Sequence, residues 1–244
     1  MLKNFHYGID NEKLNINQHP WILSREDCII KKLKYKHFNN FADIGVNDMY
    51  YTKILRTYTK ETVYAVDIFF HDEETIIEDI ICINNISKLP ENKIDCILMM
   101  DVLEYIEDDI NFLNIAFSKL RASGIIIITV PAWKFLFSSH DIRSKHLRRY
   151  DKKDFLHLIS NTQFNNKIEN FHYFYTILFL LRMIGSLKKE KYSGNEIEWK
   201  YPSGSFITIL IKIILNVDFY INSFFSKINI MIPGLSILAI CRKN

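Results

Sequence analysis

The chain has 244 residues, enough for one substantial domain with a full hydrophobic core and too few for two large ones. Its 31 Lys and Arg against 28 Asp and Glu leave a net charge of +3, which excludes the strong basic excess of a dedicated nucleic-acid binder. Cys28, Cys82, Cys96 and Cys241 show no paired spacing, which excludes a disulfide framework and points to reduced, mostly buried thiols in the cytoplasm.

The first fifteen residues, MLKNFHYGIDNEKLN, carry no apolar core and no small-residue cleavage site, so no export signal is expected. Residues 1–38 are expected to form an N-terminal helical cap. Ser24 ahead of Glu26 and Asp27 is the predicted helix start, with Cys28, Ile29, Ile30 and Leu33 as its apolar face. Four short apolar runs then read as buried strands: 41–45 (FADIG), 63–67 (VYAVD), 94–100 (IDCILMM) and 124–131 (GIIIITVP). Between them MYYTKILRTYT and DDINFLNIAFSKLRA have helical spacing, the second with Ile110, Leu113, Phe117 and Leu120 on one face. Alternating strands and helices of this kind give an α/β fold with a doubly wound, mostly parallel sheet.

After Pro131 the chain turns polar through FSSHDIRSKHLRRYDKKDF, residues 137–155, and continues as a helix from Lys152. An alternating strand is expected from Lys167 and a last short strand at SILAICRK. The apolar residues between them, 178–235, are predicted to be a helical insertion within a single domain spanning 1–244. Within it SFITILIKIILNVDFYINSFF is interrupted by Lys212 and Asp218, so it reads as an amphipathic helix over 205–225 rather than a span. Thr208, Lys212, Asn216 and Ser223 form its polar stripe, and Ile207, Leu210, Ile214, Ile221 and Phe225 its apolar one. Three roles stay open for the apolar face: completing the core, forming a homodimer, or lying on a bilayer with help from Lys188, Lys189, Lys191 and Lys200.

The chemistry-bearing residues cluster at strand ends. Asp43 and Asp67 end the first two strands, and an acid ending the second strand of such a sheet is placed to accept hydrogen bonds from a ribose diol. The turn after Asp43 has a single glycine, Gly45, and an extra acid, Asp48, where a dinucleotide fold needs three glycines around a pyrophosphate. A negative loop suits a cationic sulfonium better, so S-adenosyl-L-methionine is expected in preference to a nicotinamide cofactor.

Here the chain resembles the class I S-adenosylmethionine-dependent methyltransferases, whose first motif is D-x-G-x-G-x-G, and the resemblance implies a seven-stranded, Rossmann-like sheet with its last strand antiparallel. DIGVNDM keeps Asp43 and Gly45 and places Asn47 and Met49 where the later glycines stand. Asn tolerates the left-handed backbone that a glycine would supply. The stretch from Ile94 to Asp109 resembles the family's fourth motif through Asp101, Val102, Leu103, Glu104, Asp108 and Asp109, with Tyr105 in place of a histidine. NNISKLP puts Asn85 where an aspartate contacts the adenine amino group. HPWILSR resembles an H-x-W-x-x-x-R signature of one bacterial branch, and the resemblance implies that Trp21 and Arg25 sit over the cofactor with Arg25 on its carboxylate. The same branch carries S-x-H-D-x-x-x-x-H-x-R-R-Y, matched by His140, Asp141, His146, Arg148, Arg149 and Tyr150.

The cofactor site expected from this is Trp21, Arg25, Asp43, Gly45, Asn47, Asp67, Asn85 and Asp101. His140 or His146 is expected as the catalytic base, and Asp141, Arg148, Arg149 and Tyr150 as acceptor-binding groups. No third ligand joins the histidines at a metal-like spacing, so no metal is expected. The branch implies O-methylation of a sugar hydroxyl or a phosphate-type oxygen in a surface-polysaccharide precursor, in the cytoplasm or peripherally at the inner face of the membrane. The rival expectation is a fold that has lost its cofactor and serves as a partner-binding or membrane-binding subunit, motivated by the missing glycines, Asn85 and Tyr105.

Overall fold

A computed structural model describes residues 19–164, 167–187, 202 and 204–243. Its centre is β5 (Ile94–Met100) paired in parallel with β6 (Leu120–Pro131), both clothed on their two faces and both therefore near-continuous apolar runs. Outward from β5 lie β1 (Phe41–Ile44) and β2 (Val63–Val66), also parallel. On the other flank β8 (Ser236–Arg242) runs antiparallel to β6 and to β7 (Ile168–Phe174). The antiparallel last strand is as expected.

The sheet has eight strands in the order β3-β4-β2-β1-β5-β6-β8-β7, one more than the seven of the resembled fold. The additional strand is β3 (Glu74–Ile77), an edge strand hairpinned onto β4 (Ile80–Ile83). Their two-residue turn is Glu78 and Asp79, with φ of 51° and 61°. A turn of that kind is normally announced by Asn-Gly or Asp-Gly, and its absence here hid the hairpin in the sequence.

Helices cover both faces. α4 (Asp109–Lys119) and α6 (Lys152–Ser160) pack Leu113, Ala116, Phe155, Leu158 and Ile159 on one side. The other side receives a helix built from α1 (Pro20–Arg25), a π-helical turn (Glu26–Ile30) and α2 (Lys31–Leu33), together with α3 (Tyr50–Arg56). The N-terminal helix starts at Pro20 rather than near Ser24: the His19 ring Nδ1 accepts the Trp21 N–H at 3.2 Å, and Pro20 has no N–H to lose. Residues 1–18 of the expected cap, and Lys188, Lys189, Lys191 and Lys200, lie outside the described residues.

Between β7 and β8 run α7 (Thr176–Leu187) and α8 (Phe206–Lys227). α8 is amphipathic, but its polar stripe faces inward. Lys212 pairs with Asp27 at 3.0 Å, and the Asn216 amide donates to the same carboxylate at 3.0 Å and accepts from the Cys28 thiol. Asp218 accepts the Thr176 and Ile177 N–H groups that open α7, and Asn222 braces Asp218. Leu215 and Phe219 are the apolar residues buried with them. Of the three roles left open for the apolar stripe, completing the core is not the one taken: Ile207, Leu210, Ile214 and Ile221 are solvent-exposed. Cys28, Asp218 and Asn222 are buried and find their partners in this orientation, which decides the rotation of the helix.

Candidate active site

The carboxyl ends of β1, β2 and β5 open onto a cavity of about 650 Å³. Its wall includes Arg25, Asp43, Gly45, Asn47, Asp67, Asn85, Asp101 and Tyr105. Four carboxylates (Asp43, Asp48, Asp67, Asp101) face one guanidinium (Arg25), so the described lining favours a ligand with positive charge.

The turn after β1 is built for close approach of a ligand. Gly45 has φ of 73° and donates its N–H to the Val66 carbonyl at 2.8 Å, and a Cβ there would stand 2.8 Å from a Val102 methyl. Only glycine fits. Asn47 (φ 51°) and Met49 (φ 62°) take the left-handed backbone that the family's other glycines would take. Met49 opens α3 and buries its side chain in the core beside Leu55, packing that offsets its strain. The Asp67 carboxylate, at the end of β2, receives the N–H groups of Asn47 and Phe69 at 3.2 and 3.1 Å, which fixes it at the edge of the cavity.

Asp43 is buried and accepts the Thr52 hydroxyl at 2.6 Å. Burial pushes its carboxyl up to about 7 against the pull of Thr52, and the neighbouring Asp48 and Asp67 push the same way. Asp101 has φ of 58°, is held by the Thr129 hydroxyl at 2.9 Å and pairs with Arg25 at 2.6 Å. Although burial opposes it, the charge of Asp101 holds the Arg25 guanidinium above its usual range. Arg25 spends Nη1 on Asp101, while its Nε and Nη2 are buried without a hydrogen-bond partner. Two orphaned donors beside a cavity fit the carboxylate of an amino-acid ligand.

Trp21 does not line the cavity: its ring lies under the Arg25 guanidinium, 4.5 Å from the ring centre, and edge-on to Tyr175. It steers Arg25. Asn85 does line the cavity, but its side-chain oxygen accepts the Ser87 N–H at 2.9 Å, so a purine would meet its NH2 donor.

The polar loop resolves into a relay and a brace. α5 (Ser139–Arg143) is capped by Ser138, whose N–H and hydroxyl both go to Asp141. Asp141 Oδ1 holds the His146 Nδ1 at 3.0 Å and the Arg149 Nε at 2.8 Å. Burial works against ionisation of Asp141, yet His146 and Arg149 hold it well below the usual carboxylate range. The other ring nitrogen of His146 lies 3.1 Å from the Tyr105 hydroxyl, on the cavity wall. His140 is exposed on α5 and outside the cavity lining.

The expected acceptor clamp is placed elsewhere. Arg149 is buried against Asp141 and the Ala132 carbonyl, Arg148 reaches Asp109 and the Glu107 carbonyl, and Tyr150 is buried with its hydroxyl on Asp109 and Leu103. None of these three, nor Asp141, lines the cavity. A buried guanidinium needs a carboxylate: Asp141 of the same loop supplies it for Arg149, and Asp109 of α4 pairs with the partly exposed Arg148. Sequence reading missed Tyr105 as a working group, noting only that it replaces a histidine. It named Glu104 only as part of a motif, whereas the residue is fully buried with neither carboxyl oxygen hydrogen-bonded. Burial, then the charge of Asp101, pushes its pKa well up despite Arg25 and Arg149.

A family model described as a methyltransferase domain matches residues 31–171. Curated proteins show no match to the chain. Solved structures do. A geranyl diphosphate methyltransferase bound to its acceptor and sinefungin is 12% identical, with 98% of this chain and 90% of that one covered and a TM-score of 0.55. A phosphoethanolamine N-methyltransferase from Haemonchus contortus is 11% identical, with 91% and 53% covered and a TM-score of 0.52. A Thermotoga maritima S-adenosylmethionine-dependent methyltransferase, described as a possible histamine N-methyltransferase, is 13% identical, with 91% and 88% covered and a TM-score of 0.51. At these identities the likeness is one of fold.

Proposed function

We propose, from the premise that this chain belongs to the methyltransferase-domain family and uses S-adenosylmethionine, that it O-methylates a hydroxyl of a sugar unit in a surface-polysaccharide precursor. The observation that carries this reading is the Asp141–His146–Tyr105 relay ending at the cavity wall. A sugar hydroxyl is a weak nucleophile and benefits from a base as the methyl bond forms. A phosphate-type oxygen needs cationic positioning instead, and Arg148 and Arg149 are engaged by Asp109 and Asp141.

S-adenosylmethionine, when bound, supplies an electrophilic methyl group on a positively charged sulfur. Asp67 is suited to its ribose, the orphaned donors of Arg25 to its carboxylate, and the acids Asp43 and Asp101 to its positive charges. Asp141 accepts a hydrogen bond from the His146 Nδ1–H, which leaves Nε2 as an acceptor facing Tyr105. The Tyr105 hydroxyl donates to Nε2 and presents its own lone pair to the acceptor hydroxyl. As the acceptor oxygen forms its bond to carbon, its proton passes to Tyr105 and the tyrosine proton to His146. Asp141 stabilises the resulting imidazolium. Alignment does the rest, since the displacement is in line.

The test is methyl transfer from labelled S-adenosylmethionine to a panel of sugar, phosphate-type and amino-sugar acceptors. Turnover confined to hydroxyl acceptors, and lost in His146→Ala, supports the reading. Turnover of an amino sugar alone replaces O-methylation by N-methylation.

A further inference from the structure

The outward face of α8 is apolar without interruption. Phe206, Ile209, Ile213, Val217, Tyr220 and Phe224 recur at intervals of three or four and form one exposed stripe, roughly 27 Å long at 1.5 Å per residue. α7 adds Leu180 and Leu181, both more than half exposed. A soluble helix of this composition buries its apolar face and wets its polar one. Here the polar face is consumed by Asp27, Cys28 and the start of α7. The exposed stripe exceeds what a water-facing surface normally carries.

We propose that this face docks on an anionic lipid bilayer, with α8 lying in the plane of the interface. α8 is long and apolar enough to cross a membrane. Crossing, however, would strip Lys212, Asn216, Asp218 and Asn222 of their partners at mid-helix, whereas lying flat keeps all four. Charge selects the lipid. α7 and α8 together contain one acid, Asp218, which is buried, while Lys32 rests 4.5 Å above the Tyr220 ring and Lys227 ends α8, both exposed. Cations with no exposed acid on those two helices complement anionic headgroups.

Continuity with the site favours a bilayer over a second copy of the chain. Arg182 of α7 donates to the Ser138 hydroxyl at 2.5 Å, and Phe179 packs on Trp133. The loop they hold exposes Phe135, Ile142 and Leu147 beside the cavity-lining Ser144 and Tyr105. Lys32 and Lys227 at this face would meet like charges on a second copy seated against it, and opposite charges on an anionic bilayer. This surface does not depend on which acceptor atom is methylated.

The experiment is co-sedimentation of the full chain with phosphatidylcholine vesicles, with and without phosphatidylglycerol, with S-adenosylhomocysteine titrated into the same preparations. The wild type is expected to pellet with anionic vesicles and roughly tenfold less with neutral ones. Ile213→Ser with Val217→Ser is expected to lower the partition coefficient roughly tenfold or more at unchanged nucleoside affinity, since both positions are exposed. Wild-type protein remaining in the supernatant with both vesicles overturns the proposal. So does a dimer in light scattering that the double variant dissociates, which would make a second copy the occupant. Loss of nucleoside binding in a folded sample would count against the cofactor assignment and leave the docking result readable.

Discussion

Asp43→Asn tests the electrostatics of the cavity directly. The Asp43 carboxyl is raised by burial from 3.8 to about 7, so between those values the folded chain holds a proton that the unfolded chain has released. Stability therefore falls as pH rises through this window and levels off above it. About three units at 1.36 kcal/mol each set a ceiling of about 4 kcal/mol on the cost of ionised Asp43 at neutral pH and above. Asparagine removes the charge and keeps an oxygen for the Thr52 hydroxyl. Denaturant unfolding of the two proteins is expected to agree below about pH 4, and to favour the variant by about 1.5 kcal/mol at about pH 5 and by up to about 4 kcal/mol at about pH 8. Cofactor binding should move the other way, because the cationic ligand has lost a carboxylate. The wild type should also release a proton on binding near pH 6.5, visible as buffer-dependent calorimetric heat, and the variant should not. A variant less stable than wild type at both pH values would refute the reasoning, as would identical pH profiles.

Three further outcomes are expected. His146→Ala should lower kcat by roughly 10²–10⁴ with little effect on cofactor affinity, and Tyr105→Phe should lower kcat less, because His146 can still reach a water in place of the hydroxyl. Full turnover in both would remove the relay. Gly45→Ala, whose Cβ would meet Val102 at 2.8 Å in a left-handed conformation, should cost about 1–3 kcal/mol in thermal unfolding and abolish tight nucleoside binding. Asp67→Ala should weaken S-adenosylhomocysteine by about 1.5–3 kcal/mol in calorimetry, and an unchanged affinity would end its assignment to the ribose.

The parallel centre of the sheet was legible because strands buried on both faces, such as Ile94–Met100, have little choice but to be apolar throughout. The β3–β4 hairpin was not, since Glu78 and Asp79 adopt by tertiary constraint a turn that glycine would have advertised. Periodicity found both stripes of α8 but carries no sign: which stripe faces in was decided by Asp27 and by the bare N–H groups of α7, far away in sequence. The cavity acids were readable from strand ends. The meeting of Tyr105 with His146 was not, because it depends on how the loop after β6 folds back over the end of β5. The same fold-back turned Arg148, Arg149 and Tyr150 from expected ligand groups into struts.

One hydrogen bond joins two parts of the protein that have been treated separately. Arg182 grips Ser138, Ser138 grips Asp141, and Asp141 aims His146. A side chain of the outer helical layer thus stands two links from the residue that aims the base. A shift of α7 would pull on Ser138 and, through it, on Asp141 and the imidazole. The loop that carries His146 is thereby tied, through α7, to the outer layer of the protein. Turnover should then rise and saturate in step with occupancy of the outer face, and Arg182→Ala should uncouple the two while leaving each intact.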